Sequence, residues 1–265
     1  MPERDAVEEA RRVVARVVFD ECAWEARLGF MLAYFRTFAS PSISHVLAAS
    51  GETTRAPRKR AMDTYLFMYT LVAEGFESPA GRRIVAAMRR QHHPWSIGAE
   101  DYTYVLATFV VVPPRTIAAV GPRALTEHEL EAFATFFGHL GTQMRLAGVP
   151  STFVEFARDL DGYEASKVGQ SPDGSRLAAT TAEVLRESYP WGLRGFARCL
   201  VESQQPVEVR RALGYRDHRW VAGVLRVRQM LRRWSRRSSR STFVPGAANS
   251  VYPRGYTVAD LGPEN

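Results

Sequence analysis

Three observations predict an all-α fold. Apolar residues recur at three- and four-residue spacing along most of the chain, strand-like alternation is nearly absent, and helix-start signals return at short intervals. The 265 residues, 46% hydrophobic and 11% aromatic, suffice for a large buried core. No internal repeat or linker divides them, so one multi-helix globular domain over residues 1–265 is expected, with 238–265 as a loop-like tail.

The elements follow in order. A long helical pattern runs from Ala6 to about Phe35, and a shorter one follows Pro41 and ends near Ser50 and Gly51. A polar loop over 51–57 separates these from helical patterns at about Arg58 to Glu74 and Pro79 to His93. The next, from Ala99 towards Gly121, carries Pro113 and Pro114, which predict a break or kink because proline removes a backbone donor and crowds the preceding turn. Thr126 with Glu129, and Thr152 with Glu155, have capping-box spacing, in which hydroxyl and carboxylate satisfy the free amides of a helix start. Four further helices are expected over about Gly174 to Glu187, Trp191 to Val201, Val207 to Gly214 and His218 to Arg237. From Ser238 onward Ser, Pro and Gly dominate, as in a segment that wraps a domain.

Composition narrows the function. Cys22 and Cys199 stand far apart with no ligand-spaced partner, which argues against a disulfide framework or a zinc site and for a reducing compartment. Acidic residues precede any apolar run at the N-terminus, the wrong order for a signal peptide, and the run Tyr104 to Val112 is too short to span a bilayer. A soluble, cytoplasmic protein is expected. Neither a glycine-rich phosphate loop nor a His and carboxylate spacing for zinc or non-haem iron occurs. The net charge of +7 gathers between Asp217 and Asp260, where no acid interrupts Arg219, Arg226, Arg228, Arg232, Arg233, Arg236, Arg237 and Arg240. That block is either a phosphate-binding patch, for a membrane surface or nucleic acid, or a solvated helix end. No base-reading motif accompanies it, so sequence-specific nucleic-acid binding is not expected. Val221, Val224, Leu225 and Leu231 in the same segment would serve either lipid contact or core packing.

The chemistry concentrates in two helices. Ile84, Met88 and His92 are four apart, which puts His92 on the apolar stripe. His93 lies about a quarter turn away and precedes Pro94, so His92 is the better placed of the pair. It is either a hydrogen-bonded core histidine or an axial ligand for a haem between helices. One helix earlier, Arg60 and Thr64 share a face, with Asp63 beside them. Arg60 and Asp63 read either as a surface ion pair, or Arg60 and Thr64 read as donors aimed at negative charge developing in a water-poor pocket. His45, His128, His139 and His218 pair with no Ser or Cys in a nucleophile motif and are taken as structural.

The order Pro41-Ser-Ile-Ser, Arg60-Ala-Met-Asp-Thr64, Gly81 through His92 to Ile97, and Glu100-Asp-Tyr-Thr-Tyr104 resembles the latex clearing protein (rubber oxygenase) and mpaB-type oxygenase family. So do Pro122 to Thr126, Gly141 to Met144, Val149-Pro150, Tyr163-Glu164, Tyr252 to Tyr256 and Leu261-Gly-Pro263. The resemblance covers about residues 35–263. It implies a haem b enclosed between helices, His92 as its iron ligand, and Arg60 and Thr64 as candidate catalytic residues on the distal side. Arg89, by the same resemblance, contributes to haem binding through a propionate, with an exposed arginine as the alternative. Rubber oxygenases carry a Lys immediately before the distal Thr, where this chain has Asp63. The implied activity is dioxygen-dependent oxidation of an apolar, unsaturated or isoprenoid-like small molecule, with a reductant not identified by the sequence. A haem sensor or carrier without turnover, and a basic helical regulator without haem, are the alternatives.

Overall fold

The computed structural model describes residues 2–235 and 240–263. Their regular structure is helical: α1 (Pro2–Ala15), α2 (Ala23–Thr37), α3 (Pro41–Ser50), α4 (Glu52–Arg55), α5 (Pro57–Glu74), α6 (Pro79–His92), α7 (Ala99–Val120), α8 (Glu127–Gln143), α9 (Phe153–Lys167), α10 (Pro172–Glu187), α11 (Arg194–Ser203), α12 (Val207–Leu213) and α13 (Arg219–Ser235). The predicted boundaries hold within a few residues for most elements. Both capping boxes form, each with the threonine accepting from the third amide and the glutamate accepting from the threonine's own amide.

Four expectations change. The single N-terminal helix is two, separated by a π-helical turn at Arg16–Glu21 that buries Val17 and Val18. The polar loop at 51–57 contains the one-turn α4, which starts beyond the left-handed Gly51. The helix expected from Trp191 opens instead as a 3₁₀ turn, Trp191–Leu193, before α11. The Pro113–Pro114 pair lies inside one continuous α7, where Pro113 packs against Gly29 of α2. Packing holds the helix together across the missing amides, because α2 and α7 form the central pair of the core. Helix α7 is long and apolar enough to cross a membrane, but it is largely buried by its neighbours.

The core is rich in aromatic rings. Phe30, Tyr69, Phe109 and Phe137 join α2, α5, α7 and α8 edge-on or tilted. The tail, irregular apart from a 3₁₀ turn at Val258–Asp260, wraps back as expected: Phe243 stacks on Phe19 and meets Tyr69 edge-on.

Candidate functional site

Helix α6 delivers His92. Ser78 caps it by accepting from the amide of Gly81 at 2.8 Å, and a side chain at Gly81 would collide with the carbonyl of Gly75, so the start of α6 seats tightly on the preceding turn. Thirteen residues on, the ring of His92 enters a cavity of about 210 Å³ between α2, α3, α5, α6 and α7. Its Nδ1 lies 2.7 Å from the carbonyl of Met88. A carbonyl only accepts, so Nδ1 carries the proton and Nε2 keeps its lone pair. Burial lowers the pKa of His92 below 6.5, the Met88 bond opposes this, and the positive charge of Arg60 lowers it further. The ring is therefore neutral at physiological pH, the form that binds a metal. His93 is exposed and stays outside the cavity.

Arg60 and Thr64 line the same cavity from α5. Arg60 donates to the Thr64 hydroxyl at 2.6 Å, and that hydroxyl donates to the Arg60 carbonyl at 3.0 Å. Thr64 thus spends its proton on its own helix and fixes Arg60, whose remaining N–H groups are the available donors. The walls are mostly apolar, including Ile43, Leu47, Phe67, Met68, Val105 and Phe109, with Glu52 and Asp101 also in the lining.

The expected alternative of an Arg60–Asp63 surface ion pair is corrected. Asp63 is buried and faces away from the cavity, towards the tail: it accepts from Lys59 at 2.8 Å, from the Tyr252 hydroxyl at 2.5 Å and from the amide of Gly262 at 2.9 Å. Lys59 also donates to the carbonyls of Asp260 and Gly262. The departure from a lysine at this position is thereby given a structural role. Gly262 and Pro263, held by this clasp, complete the cavity wall. Gly262 has φ +108, a conformation that L side chains rarely adopt, so glycine lets the tail press against Gln91 of α6 without strain.

Arg89 does not join His92 in the cavity. Its guanidinium donates to the carbonyl of Gln143 at 2.6 Å, which satisfies the end of α8. The remaining histidines are peripheral to the cavity: His218 meets Glu202 at 2.9 Å, His139 sits edge-on to Phe76, His45 faces Asp173 and His128 is exposed. Lining residues that sequence reasoning left without a role are Tyr34 and Thr37 of α2, Gln91, Trp95 and Tyr102, whose ring lies 5.7 Å from His92. Tyr102 carried a signal through its place in the segment Glu100 to Tyr104, as did Gln91 and Trp95 through the run Gly81 to Ile97; Tyr34 and Thr37 carried none.

Comparison with known proteins decides the family. The family model described as "ER-bound oxygenase mpaB/B'/Rubber oxygenase, catalytic domain" matches residues 23–237. The chain belongs to this oxygenase family. Similar relatives are the ER-bound oxygenase mpaB' of Penicillium brevicompactum, 28% identical over 60% of this chain and 42% of its own length, and mpaB of the same organism, 31% identical over 43% of this chain and 31% of its own. An mpaB of Penicillium roqueforti is 31% identical over 43% of this chain and 41% of its own length. The chain thus spans less than half the length of the curated relatives it matches. The mpaB and rubber-oxygenase match takes in every helix that lines the cavity, and it stops short of the tail that closes it.

Proposed function

We propose that the chain is a haem-b-dependent oxygenase acting on an apolar, unsaturated or isoprenoid-like small molecule, with His92 as the iron ligand. The observation that carries this is the fixed tautomer of His92, which leaves Nε2 as the one coordinating nitrogen in an apolar cavity. The residues fit the group. A single neutral imidazole suits an iron already held by four porphyrin nitrogens, and the Met88 carbonyl orients the ring as an outer partner does. When bound, the haem supplies the redox chemistry with dioxygen.

The protein's part is positioning and electrostatics. Arg60, whose charge is felt at His92, presents guanidinium N–H groups to negative charge developing in the cavity, and Thr64 holds it in place. Apolar walls exclude water and strengthen that interaction. Arg89 contributes indirectly, by tying α6 to the end of α8 beside the ligand helix. A reductant remains part of the proposal as an unidentified partner. So does a cytoplasmic location, in keeping with two free thiols, of which Cys22 is pushed by burial up to about 11.

Visible absorption of the purified protein tests the proposal. A Soret band is expected in the wild type, its loss in His92→Ala, and its retention in His93→Ala, with all three folded by circular dichroism. An intact band in His92→Ala removes the assignment.

A further inference from the structure

The arginine-rich segment splits into two faces. On one, Val221 and Leu225 are buried, Arg228 reaches the fully buried Glu25 at 2.8 Å and lies over the Trp24 ring, and Arg232 donates to the carbonyl of Glu21. Gln229 donates to the carbonyl of Gly121 at 2.8 Å. Helix α13 is therefore fixed to the body through Arg228, Gln229 and Arg232. The opposite face is apolar and open: Trp220, Val224, Val227, Met230, Leu231 and Trp234 are each at least 44% exposed, Trp234 at 87%. Five of these follow a spacing of four and three, which makes one stripe along the helix. Arg219, Arg226 and Arg233, seven apart, line one flank of the stripe, with Arg233 also donating through Nε to the carbonyl of Pro122 at 3.2 Å, and no acid occurs from residue 218 to 259.

We propose that this face of α13 is a docking surface for an anionic lipid bilayer. Tryptophan at both ends of the stripe suits the lipid headgroup level, and a flanking row of arginines meets lipid phosphates while the apolar side chains enter the acyl boundary. Charge complementarity selects this occupant over a second copy of the chain. An antiparallel two-fold contact between identical stripes would bring one arginine row close to another of the same sign, and a parallel one would leave both rows without an anionic partner. The surface anchors the protein and does not feed the cavity. Val105 and Phe109 line the cavity from the first half of α7, whereas α13 holds the carbonyl of Gly121 beyond its end, roughly 18 to 24 Å further along the helix axis at 1.5 Å per residue.

Co-sedimentation of the full chain with vesicles at physiological salt tests the proposal. Vesicles of phosphatidylcholine containing phosphatidylserine are expected to pull down the protein, and pure phosphatidylcholine to do so much less. Replacing Arg219, Arg226 and Arg233 together by Gln lowers binding to the anionic vesicles by on the order of 100-fold, because each arginine near such a surface contributes about fivefold. The pair Trp220→Ser and Trp234→Ser lowers binding to both vesicle types, while circular dichroism and the visible spectrum stay unchanged. Equal binding to the two vesicle types overturns the proposal. So does a dimer in sedimentation velocity that the Trp pair dissolves, since the face would then belong to a second copy. The haem assignment is read independently, from the spectrum.

Discussion

At the scale of single residues, the site is a matter of which atom keeps a free donor or lone pair. His92 of α6 has one nitrogen engaged and one available, and on α5 Thr64 has its proton engaged while Arg60 keeps N–H groups for the cavity, so the two polar cavity residues of α5 do different work. Arg60 faces the cavity, and under the proposed function Thr64 is a positioning residue that acts through it. Thr64→Val, which keeps the shape and removes the hydroxyl, is expected to retain the Soret band and weaken cyanide binding to the ferric protein by several-fold. Thr64→Ser should restore it, and Arg60→Ala should weaken it at least as much, on the order of tenfold for one charge-assisted hydrogen bond. Cyanide titration followed in the visible spectrum checks the series. Unchanged affinity in both Arg60→Ala and Thr64→Val removes their distal assignment. The position of Thr64 was legible from its spacing to Arg60, but its bonding was not, because a hydroxyl's partner depends on a rotamer that no sequence pattern specifies.

At the scale of elements, α5 serves two neighbours at once. Residues 60 and 64 point into the cavity, while residues 59 and 63, one position earlier on the helical wheel, grip the tail. The carboxylate of Asp63 accepts three hydrogen bonds while almost wholly buried, so its removal leaves Lys59 without its counter-ion and the Gly262 amide without its acceptor. Asp63→Ala is expected to cost about 3 kcal/mol in denaturant unfolding, as for breaking a buried pair. It should also release residues 252–263 to fast amide exchange before the helices open. Exchange rates in the tail equal to wild type would show that the clasp does not hold the cavity wall. Sequence reasoning saw Asp63 only as a departure and as a local partner for Arg60. One partner, Lys59, sits a single helical turn away, but Tyr252 and Gly262 lie about 190 to 200 positions further along the chain, beyond any helical periodicity.

At the scale of the whole molecule, the N-terminal helices are pinned to the capped start of α8 by ion pairs around Glu129. Hydrogen bonding to Arg123, which also reaches Glu21, lowers the pKa of Glu129 to about 2 against the opposing effect of burial. A carboxyl whose folded pKa lies below its unfolded value of 4.5 contributes fully above that value, and its contribution is lost as the pH falls from 4.5 towards 2. With Arg123 half exposed, the contribution is on the order of 2 kcal/mol. Arg123→Ala should therefore lower the urea midpoint at pH 7 and flatten its decline between pH 4.5 and pH 2; a parallel decline in both proteins would assign the acid sensitivity elsewhere. The sequence by itself determined the helical class, most helix boundaries, both capping boxes, and the face of α6 that carries His92. These depend on neighbours within four residues, and such neighbours are printed in the chain. Tertiary structure alone decided that Arg89 serves α8, that Asp63 holds the tail, that the proline pair stays inside α7, and that Arg228 and Arg232 of the arginine block turn inward, Arg236 and Arg237 lying outside the described residues. Each of those outcomes was settled by packing and by which buried polar group needed a partner, and long-range contacts supply that partner.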